Sequence, residues 1–542
     1  MGAKFLGLDS STQGLTAVLI DVETGDTQFH QVRYDERLPW YETTNGFHDL
    51  GNGVVCSSPL MWAEALDLMF SDLWAQGVDL SEIRAISGSG QQHGSVYWNS
   101  EGRVSLEGLV PDVPLAEQLR GSFARESSPI WMDSSTEEEC AEIREALGGT
   151  QRTAELTGSD AFERFTGPQI RAFYKREPDR YAQTTDIGLV SSYMASLLKG
   201  GIAPIDPGDG AGMVLMDVTA KTWLLEALAA TAPGLERKLP PILPSSCFVG
   251  PIGSHLVQRY HFSPATELFC WSGDNPNSLI GTGLIKPGQI TISLGTSDTL
   301  FAYMVKLRTD PSGEGHVLGA PTGDYMAMSV FKNASLARER LREQYGLGTG
   351  DDWKGFSDAL RNTPAGNEGR IMLPYFDAEI VPRVNRPRVH RYGGLDEADG
   401  PSNVRALVEA QMMSMVLHSR WIGETPQEVH ATGGASRNAE VLRIVADVLG
   451  ATVKVYQVSN SAALGAAIRA AHAYENRHGR PIAWERLTQE FVVPVPDGQV
   501  TAIPEHQAIY EKLVPLYKAC EDHALRGGPD PAERIKAFRG EG

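Results

Sequence analysis

No stretch of this chain approaches the ~18 consecutive apolar residues that a membrane-spanning helix needs, which excludes an integral helical membrane protein. Cysteine is scarce. The five present (Cys56, Cys140, Cys247, Cys270, Cys520) are scattered, odd in number and without CxxC spacing, so neither a disulfide framework nor zinc is implied. Positive charge is also in deficit. A formal net charge of −20 argues against nucleic acid or an anionic membrane as partner, though not against an anionic nucleotide, which local loops would hold. The N-terminus has no signal-peptide core, and Leu6 stands where a myristoylation pattern requires Ser or Thr, so a cytoplasmic location is the expectation. GxGxxG is missing, which leaves a dinucleotide fold unsupported.

At 542 residues the chain exceeds what one hydrophobic core can organise, so two or more domains are expected; 42% apolar and 21% charged residues is an ordinary globular balance. Two segments share one design. Lys4 to Asp21 reads as a strand (Phe5 to Leu8), a polar turn (Asp9 to Gly14) and a returning strand (Leu15 to Ile20). Gln289 to Tyr303 repeats it, with an apolar strand (Ile290 to Leu294), a Gly-Thr-Ser turn (Gly295 to Ser297) and a return (Thr299 to Tyr303). Such turns offer backbone N–H groups and hydroxyls to an anion. A single such hairpin is weak evidence, since most are only turns; two, each opening an α/β half, predict a duplicated fold.

Between these hairpins the pattern predicts a helix over Pro59 to Gly77 with Ser58 as N-cap, a strand over Ile83 to Ser87, the loop Gly88 to Gly94 (Gly-Ser-Gly-Gln-Gln-His-Gly), and a strand over Ser95 to Trp98. A loop so dense in Gly, Gln and His is either a mobile turn or a way to bring donors to a small polar ligand. Trp131 to Thr136 precedes an acid-rich helix start, where Asp133 is a ligand contact or part of the cap region. The Gly/Asp-rich stretch Pro204 to Met213 lacks calcium-loop spacing and reads as a site-lining loop or a connector. The Pro/Ser-rich stretch from about Pro233 to Gly253 marks the approach to a domain boundary. Three parts follow: 1–265, 266–485, and a tail 486–542 carrying a helix near Ala508 to Ala524.

In the second half, Ser335 to Tyr345 and Trp353 to Arg361 read as surface helices, and Pro401 to Trp421 as a long amphipathic one. Glu428 to Asn438 with its Gly433-Gly434 pair, followed by a helix from Ala439, is a geometry suited to phosphate and ribose or else simple turn chemistry. Asp274, in Gly273-Asp-Asn-Pro276, stands about twenty residues before the second hairpin turn. A lone acid beside a phosphate cradle suits phosphoryl transfer to an alcohol; the plain alternative is an Asx turn before Pro276.

Taken together, Gly90 to Trp98, Trp131 to Thr136, Glu163 to Gly167, Gly273 to Pro276, Ser293 to Phe301 and Ala431 to Ser436 resemble the FGGY carbohydrate kinase family, most nearly its eukaryotic-type xylulose kinase branch. The resemblance implies an α/β fold of two ribonuclease-H-like, actin-like ATPase domains around a central cleft. It implies ATP-dependent phosphorylation of D-xylulose at its 5-hydroxyl, with another ketopentose, a pentitol or glycerol as alternative acceptor. A non-enzymatic alternative is an actin- or Hsp70-like nucleotide switch.

By the same resemblance, Gln92, His93, Arg164, Asp274 and Asn275 bind the sugar, with Gly94 in the sugar loop and Asp274 as general base. Ser11, Thr12 and Gln13 form the first phosphate loop, with Asp9 acting on Mg²⁺ through water, and Gly295, Thr296 and Ser297 form the second. Gly433, Gly434 and Asn438 form the adenosine site, and Trp353 either stacks on adenine or packs in the core. The implied ligands are a sugar, ATP and Mg²⁺; the expected assembly is a monomer or homodimer. Pro374 to Pro382 replaces the Gly-Glu-Arg-x-Pro-like segment usual in bacterial members, so the contacts of that loop are left open. An unperturbed carboxylate near pKa ~4 would serve Asp274's role, since a loose transition state needs little prior deprotonation.

Overall fold

The computed structural model describes residues 3–457 and 460–541. The chain forms two units, each with its own sheet. The first comprises Met1–Ile285, Val305–Met326 and Val458–Val493; the second comprises Lys286–Met304, Ala327–Gln457 and Pro494–Gly542.

In the first unit, β1 (Lys4–Ser10), β2 (Gly14–Asp21) and β3 (Thr27–Arg33) form an antiparallel meander. On the other side β1 runs parallel to β4 (Ile83–Gly90). The edge strand β5 (Phe248–Pro251) pairs antiparallel with β6 (Glu267–Phe269), which runs parallel to β4, so the order is β5-β6-β4-β1-β2-β3. Alternation along β1 sends its side chains to opposite faces. Leu6 and Leu8 join the core built on the Pro59–Ala75 helix with Met61, Trp62, Leu66 and Phe70. Phe5 meets Tyr474 edge-on, and Gly7 lies under Ala463 and Ala467 of the Ser461–Arg477 helix on the opposite face.

The second unit repeats this order. β7 (Gln289–Leu294) pairs antiparallel with β8 (Asp298–Met304), whose other neighbour is β9 (Tyr325–Phe331). On its far side β7 runs parallel to β10 (Glu428–Thr432), β10 parallel to β11 (Thr452–Val455), and β11 antiparallel to β12 (Gln499–Thr501). The orders β3-β2-β1-β4-β6-β5 and β9-β8-β7-β10-β11-β12 correspond over these six strands, with His316–Gly319 added beyond β9; this is the duplication expected from the two hairpins and the ribonuclease-H-like fold that the family resemblance implies.

The partition differs from the expected one. The chain does not divide at 265/266, because β6 and then Ser272–Gly273 pair with β4, keeping the chain through Ile285 in the first unit. The Pro/Ser-rich stretch is no boundary either: Ile242 bridges Ile205, Ser245 bonds to Asp206, and β5 is an edge of the first sheet. Residues 458–493 return to the first unit, and Pro494–Gly542, with its Pro504–Arg526 helix, belongs to the second rather than standing as a separate tail. The Ser335–Gln344 helix is not wholly superficial, because Arg338 on it is buried in an ion pair with Asp298.

Candidate active site

Strand register brings two acids together in the first unit. Asp9 on β1 stands opposite Ser89 on β4, and Ser89 stands opposite Ser272. Asp274 follows two residues later, opening the Asp274–Gly281 helix at the carboxyl ends of these parallel strands, where open α/β sheets place their ligands. Asp9 Oδ1 accepts from Ser89 Oγ at 2.7 Å. Asp274 Oδ1 accepts from the backbone N–H of Asn275 at 2.7 Å and from Asn275 Nδ2 at 3.0 Å.

Burial, and then the like charge of Asp9, push the Asp274 carboxyl up to about 7. Asp9 itself is pushed up to about 6 by burial, against the lowering effect of Ser89. The ordinary carboxylate expected for Asp274 is therefore replaced by a base poised near neutrality, which is where proton transfer is most effective.

The sugar-loop residues gather beside Asp274. Asn275 Nδ2 donates to Gln92 Oε1 at 2.7 Å, and Gln92 Nε2 donates to Gly208 O at 3.2 Å. His93 Nδ1 bonds Gly212 O at 2.8 Å. A carbonyl oxygen only accepts, so Nδ1 carries the proton. Burial, then the charge of Arg164, lower the ring's pKa to about 3, so it stays neutral and Nε2 is an acceptor. The ring stacks on Phe165 with centroids 4.3 Å apart. Arg164 lies over Phe162 and Phe165 and donates to His316 Nε2 at 3.3 Å.

The Pro204–Met213 stretch is thus a wall of this site: its carbonyls orient Gln92 and His93, and it carries the buried acids Asp206 and Asp209. His316, Asp206, Asp209 and Ser89 were not singled out from the sequence. Ser89 lay within the motif-rich loop, whereas nothing local marks His316. Asp133 accepts from Val55 N, Ser135 N and Gln169 Nε2, a structural role.

In the first phosphate-loop candidate, Ser11 turns both its N–H and Oγ onto Gly14 O. Thr12 Oγ1 donates to Gln91 Oε1 at 3.4 Å and accepts from Trp131 Nε1 at 2.8 Å, while Gln13 is exposed. These hydroxyls hold the turn, so what it can offer an anion is its backbone.

The second unit holds the other predicted set. Gly295, Thr296 and Ser297 form the bend between β7 and β8. Asp298, next in line, forms a bidentate pair with Arg338 at 2.8 and 2.9 Å, and Ser335 N donates to Gly295 O, so both ends of the bend are pinned. Gly434, Asn438 and Trp353 line one cavity of about 740 Å³ with Ser357 and Phe356. Trp353 is half-buried, not core: the Arg342 guanidinium lies 4.1 Å from its ring centroid and Phe356 meets it edge-on. Asn438 caps the Ala439–Leu449 helix through Oδ1 and donates to Ser357 Oγ, so its side chain shapes the cavity while occupied by the cap. Gly433, at φ +83°, lies against Leu294 O of β7. The loop that departs from the bacterial pattern is anchored by Glu379, whose carboxylate accepts from Lys332 N, Asn333 N, Asn333 Nδ2 and Ile380 N.

Two sequence patterns match: the FGGY family of carbohydrate kinases, N-terminal domain, over residues 127–281, and its C-terminal domain over 290–474. The chain belongs to the FGGY family of carbohydrate kinases. FGGY relatives include a xylulose kinase of Mus musculus, 40% identical, with 97% of this chain covering 96% of that one. Xylulose kinase 2 of Arabidopsis thaliana is 43% identical over 87% of each chain. The crystal structure of a xylulose kinase from Rhodospirillum rubrum superposes with a TM-score of 0.81 at 19% identity, covering 97% of this chain and 99% of that one, a likeness of fold. Among the described residues no helix is long and apolar enough to cross a membrane.

Proposed function

We propose that this FGGY kinase transfers the terminal phosphoryl group of ATP to the 5-hydroxyl of D-xylulose, with Asp274 as general base. The observation that carries the reading is the juxtaposition of Asp274, raised to about 7, with Asn275, Gln92, His93 and Arg164. Relatives named xylulose kinase support the choice of sugar.

Each group has a distinct task. His93 Nε2 accepts from a sugar hydroxyl, and Arg164 donates to sugar oxygens. Asn275 holds Asp274 Oδ1, which orients the carboxylate toward the acceptor alcohol. Asp274 then takes the hydroxyl proton as the oxygen bonds to phosphorus and the bridging oxygen leaves with ADP. For the nucleotide, the first unit offers the Ser11–Gln13 backbone, and the second unit offers the Gly295–Ser297 backbone for phosphate and the Gly434, Asn438 and Trp353 cavity for adenosine.

Asp9 suits Mg²⁺. It is a hard oxygen donor only partly covered, and among the described residues no group of three or more His, Cys, Asp and Glu forms a cage, so a cation there would keep water or phosphate ligands. When bound, Mg²⁺ supplies charge neutralisation on the phosphates.

ADP release with Mg-ATP, measured across D-xylulose, other ketopentoses, pentitols and glycerol, tests the assignment. D-xylulose is expected to give the largest stimulation. Stimulation by glycerol or a pentitol instead would reassign the acceptor, and none above the sugar-free blank would overturn the kinase reading.

A further inference from the structure

One buried guanidinium sits behind the acid, on a helix that the activity does not use. Arg469, on the Ser461–Arg477 helix, is 3% exposed. Its Nη1 donates to Asn277 Oδ1 at 2.6 Å, across 192 residues of sequence. Its Nη2 donates to Cys270 O at 2.8 Å and Ser245 O at 3.2 Å, and lies 3.9 Å from Asp206 Oδ2.

Each partner leads to the residues that flank Asp274. Asn277 Nδ2 donates to Gly273 O at 2.8 Å and to Gly88 O at 3.3 Å. Asp206 accepts from Ser272 Oγ at 2.9 Å and from Ser245 Oγ at 2.5 Å. Ser272 and Gly273 immediately precede Asp274, and Asn277 stands one turn into its helix, so the start of that helix is gripped from both sides. A buried guanidinium this far from water holds its place only because several acceptors converge on it.

The same helix sets a second spacing. A Cβ on Gly465 would lie 1.9 Å from Asn277 O, one on Gly281 would lie 1.9 Å from Ser461 O, and one on Gly7 would lie 2.0 Å from Ala463 O. The Ser461–Arg477 helix is therefore in backbone contact both with β1, which ends in the Asp9 region, and with the helix that Asp274 opens.

We infer that Arg469, through Asn277 and Asp206, is a positioning residue that fixes the axis of the Asp274–Gly281 helix and with it the direction of the Asp274 carboxylate. The inference rests on the kinase reading of Asp274. Displacing a reacting group by about 1 Å can cost on the order of 10²-fold in rate, so a hydrogen-bonded clamp remote from the substrate acts on turnover rather than on binding. Arg469 bonds to Asn277, Ser245 and Cys270 and to no residue assigned to sugar or nucleotide, so its loss shows in kcat and leaves both KM values in place.

Two variants test this against a merely structural role. Arg469→Lys keeps the charge facing Asp206 and loses the planar fork. Asn277→Asp keeps an acceptor for Arg469 and removes the donor to Gly273 O and Gly88 O. Steady-state kinetics on the full chain are paired with calorimetric counting of sugar-binding sites, so that kcat is expressed per folded site. For both variants kcat per site is expected to fall about tenfold or more, with the KM for sugar and for ATP within about twofold of wild type. Because kcat is expressed per folded site, any fall in Tm from the carbonyls of Gly273 and Gly88 that lose their donor in Asn277→Asp does not enter this readout. A kcat per site within twofold of wild type in both variants, or a loss carried by KM, overturns the inference while wild-type activity leaves the kinase reading intact. Absence of sugar-stimulated ADP release in the wild type overturns the reading itself, and the inference with it.

Discussion

Arg164 Nη2 donates to His316 Nε2 across 3.3 Å, and that contact fixes a tautomer. Arginine has no acceptor to offer, so His316 Nε2 must be unprotonated and Nδ1 carries the hydrogen, which it directs to Ser159 Oγ at 3.2 Å. Burial first, then the charge of Arg164, hold the ring neutral. Arg164 is thus oriented by a neutral ring rather than by a carboxylate, and its positive charge stays available to the oxygens of a ligand.

Replacing His316 separates orientation from charge. His316→Leu removes the acceptor and is expected to raise the sugar KM about tenfold or more, in line with ~1.5–3 kcal/mol for a hydrogen bond to a charged group, with kcat changed little. His316→Gln, which retains an acceptor, is expected to recover most of that loss. Steady-state kinetics in sugar at saturating ATP read both.

Asp274→Asn keeps the shape of the site and removes the base. Turnover is expected to fall by roughly 10²–10⁴-fold. Sugar affinity, followed by calorimetry without nucleotide, is expected to hold.

The pH profile follows from which groups titrate. Asp274 accepts a proton only when ionised, so kcat/KM for sugar is expected to fall as pH drops below about 7, where its carboxyl is held by burial and by Asp9. His93, at about 3, remains neutral throughout, so it adds no limb of its own between pH 5 and 8. In Asp9→Asn the like charge is gone and burial remains, so the acid limb is expected to move part of the way to lower pH. Rate profiles of the two proteins check this.

Stability carries the opposite sign. A carboxyl raised from 3.8 to about 7 on folding favours the folded state fully at low pH, and that contribution is lost as pH rises through the folded value. An uncharged amide at 274 is free of this loss. Asp274→Asn is expected to have a higher Tm than wild type at pH 8 and a smaller advantage at pH 5, read by thermal denaturation at the two pH values.

Two glycines test packing against ligand space. A Cβ on Gly465 meets Asn277 O, whereas one on Gly434 meets nothing within 4 Å and stands in the wall of the 740 Å³ cavity. Gly465→Ala is expected to cost about 1–3 kcal/mol in denaturant unfolding, the usual range for overpacking. Gly434→Ala is expected to leave the Tm unchanged and raise the KM for ATP.

Much of the site was legible locally. The turn at Gly295–Ser297, the Gly433–Gly434 pair, and the helix starts near Pro59 and Ala439 all follow from hydrophobic periodicity and turn chemistry, which act over a few residues. The continuation of the first unit past 265/266 was not legible, because a Pro/Ser-rich stretch looks like a linker whether or not its ends are pinned. Only the pairing of β6 with β4 shows that the chain stays in the first sheet. Trp353 could not be assigned from its neighbours in sequence, since its half-buried face depends on Arg342 and Phe356.

By itself, the order of residues determined the repeated strand–turn–strand design, the family, and the cast of polar side chains, because those are written in short-range patterns. Tertiary structure alone decided that Asp9 and Asp274 share one environment, that the carboxyl of Asp274 rises to about 7, and that Arg469 from a distant helix stands behind it. Burial and like-charge repulsion depend on which strands lie side by side, and strand register between remote segments leaves no local trace.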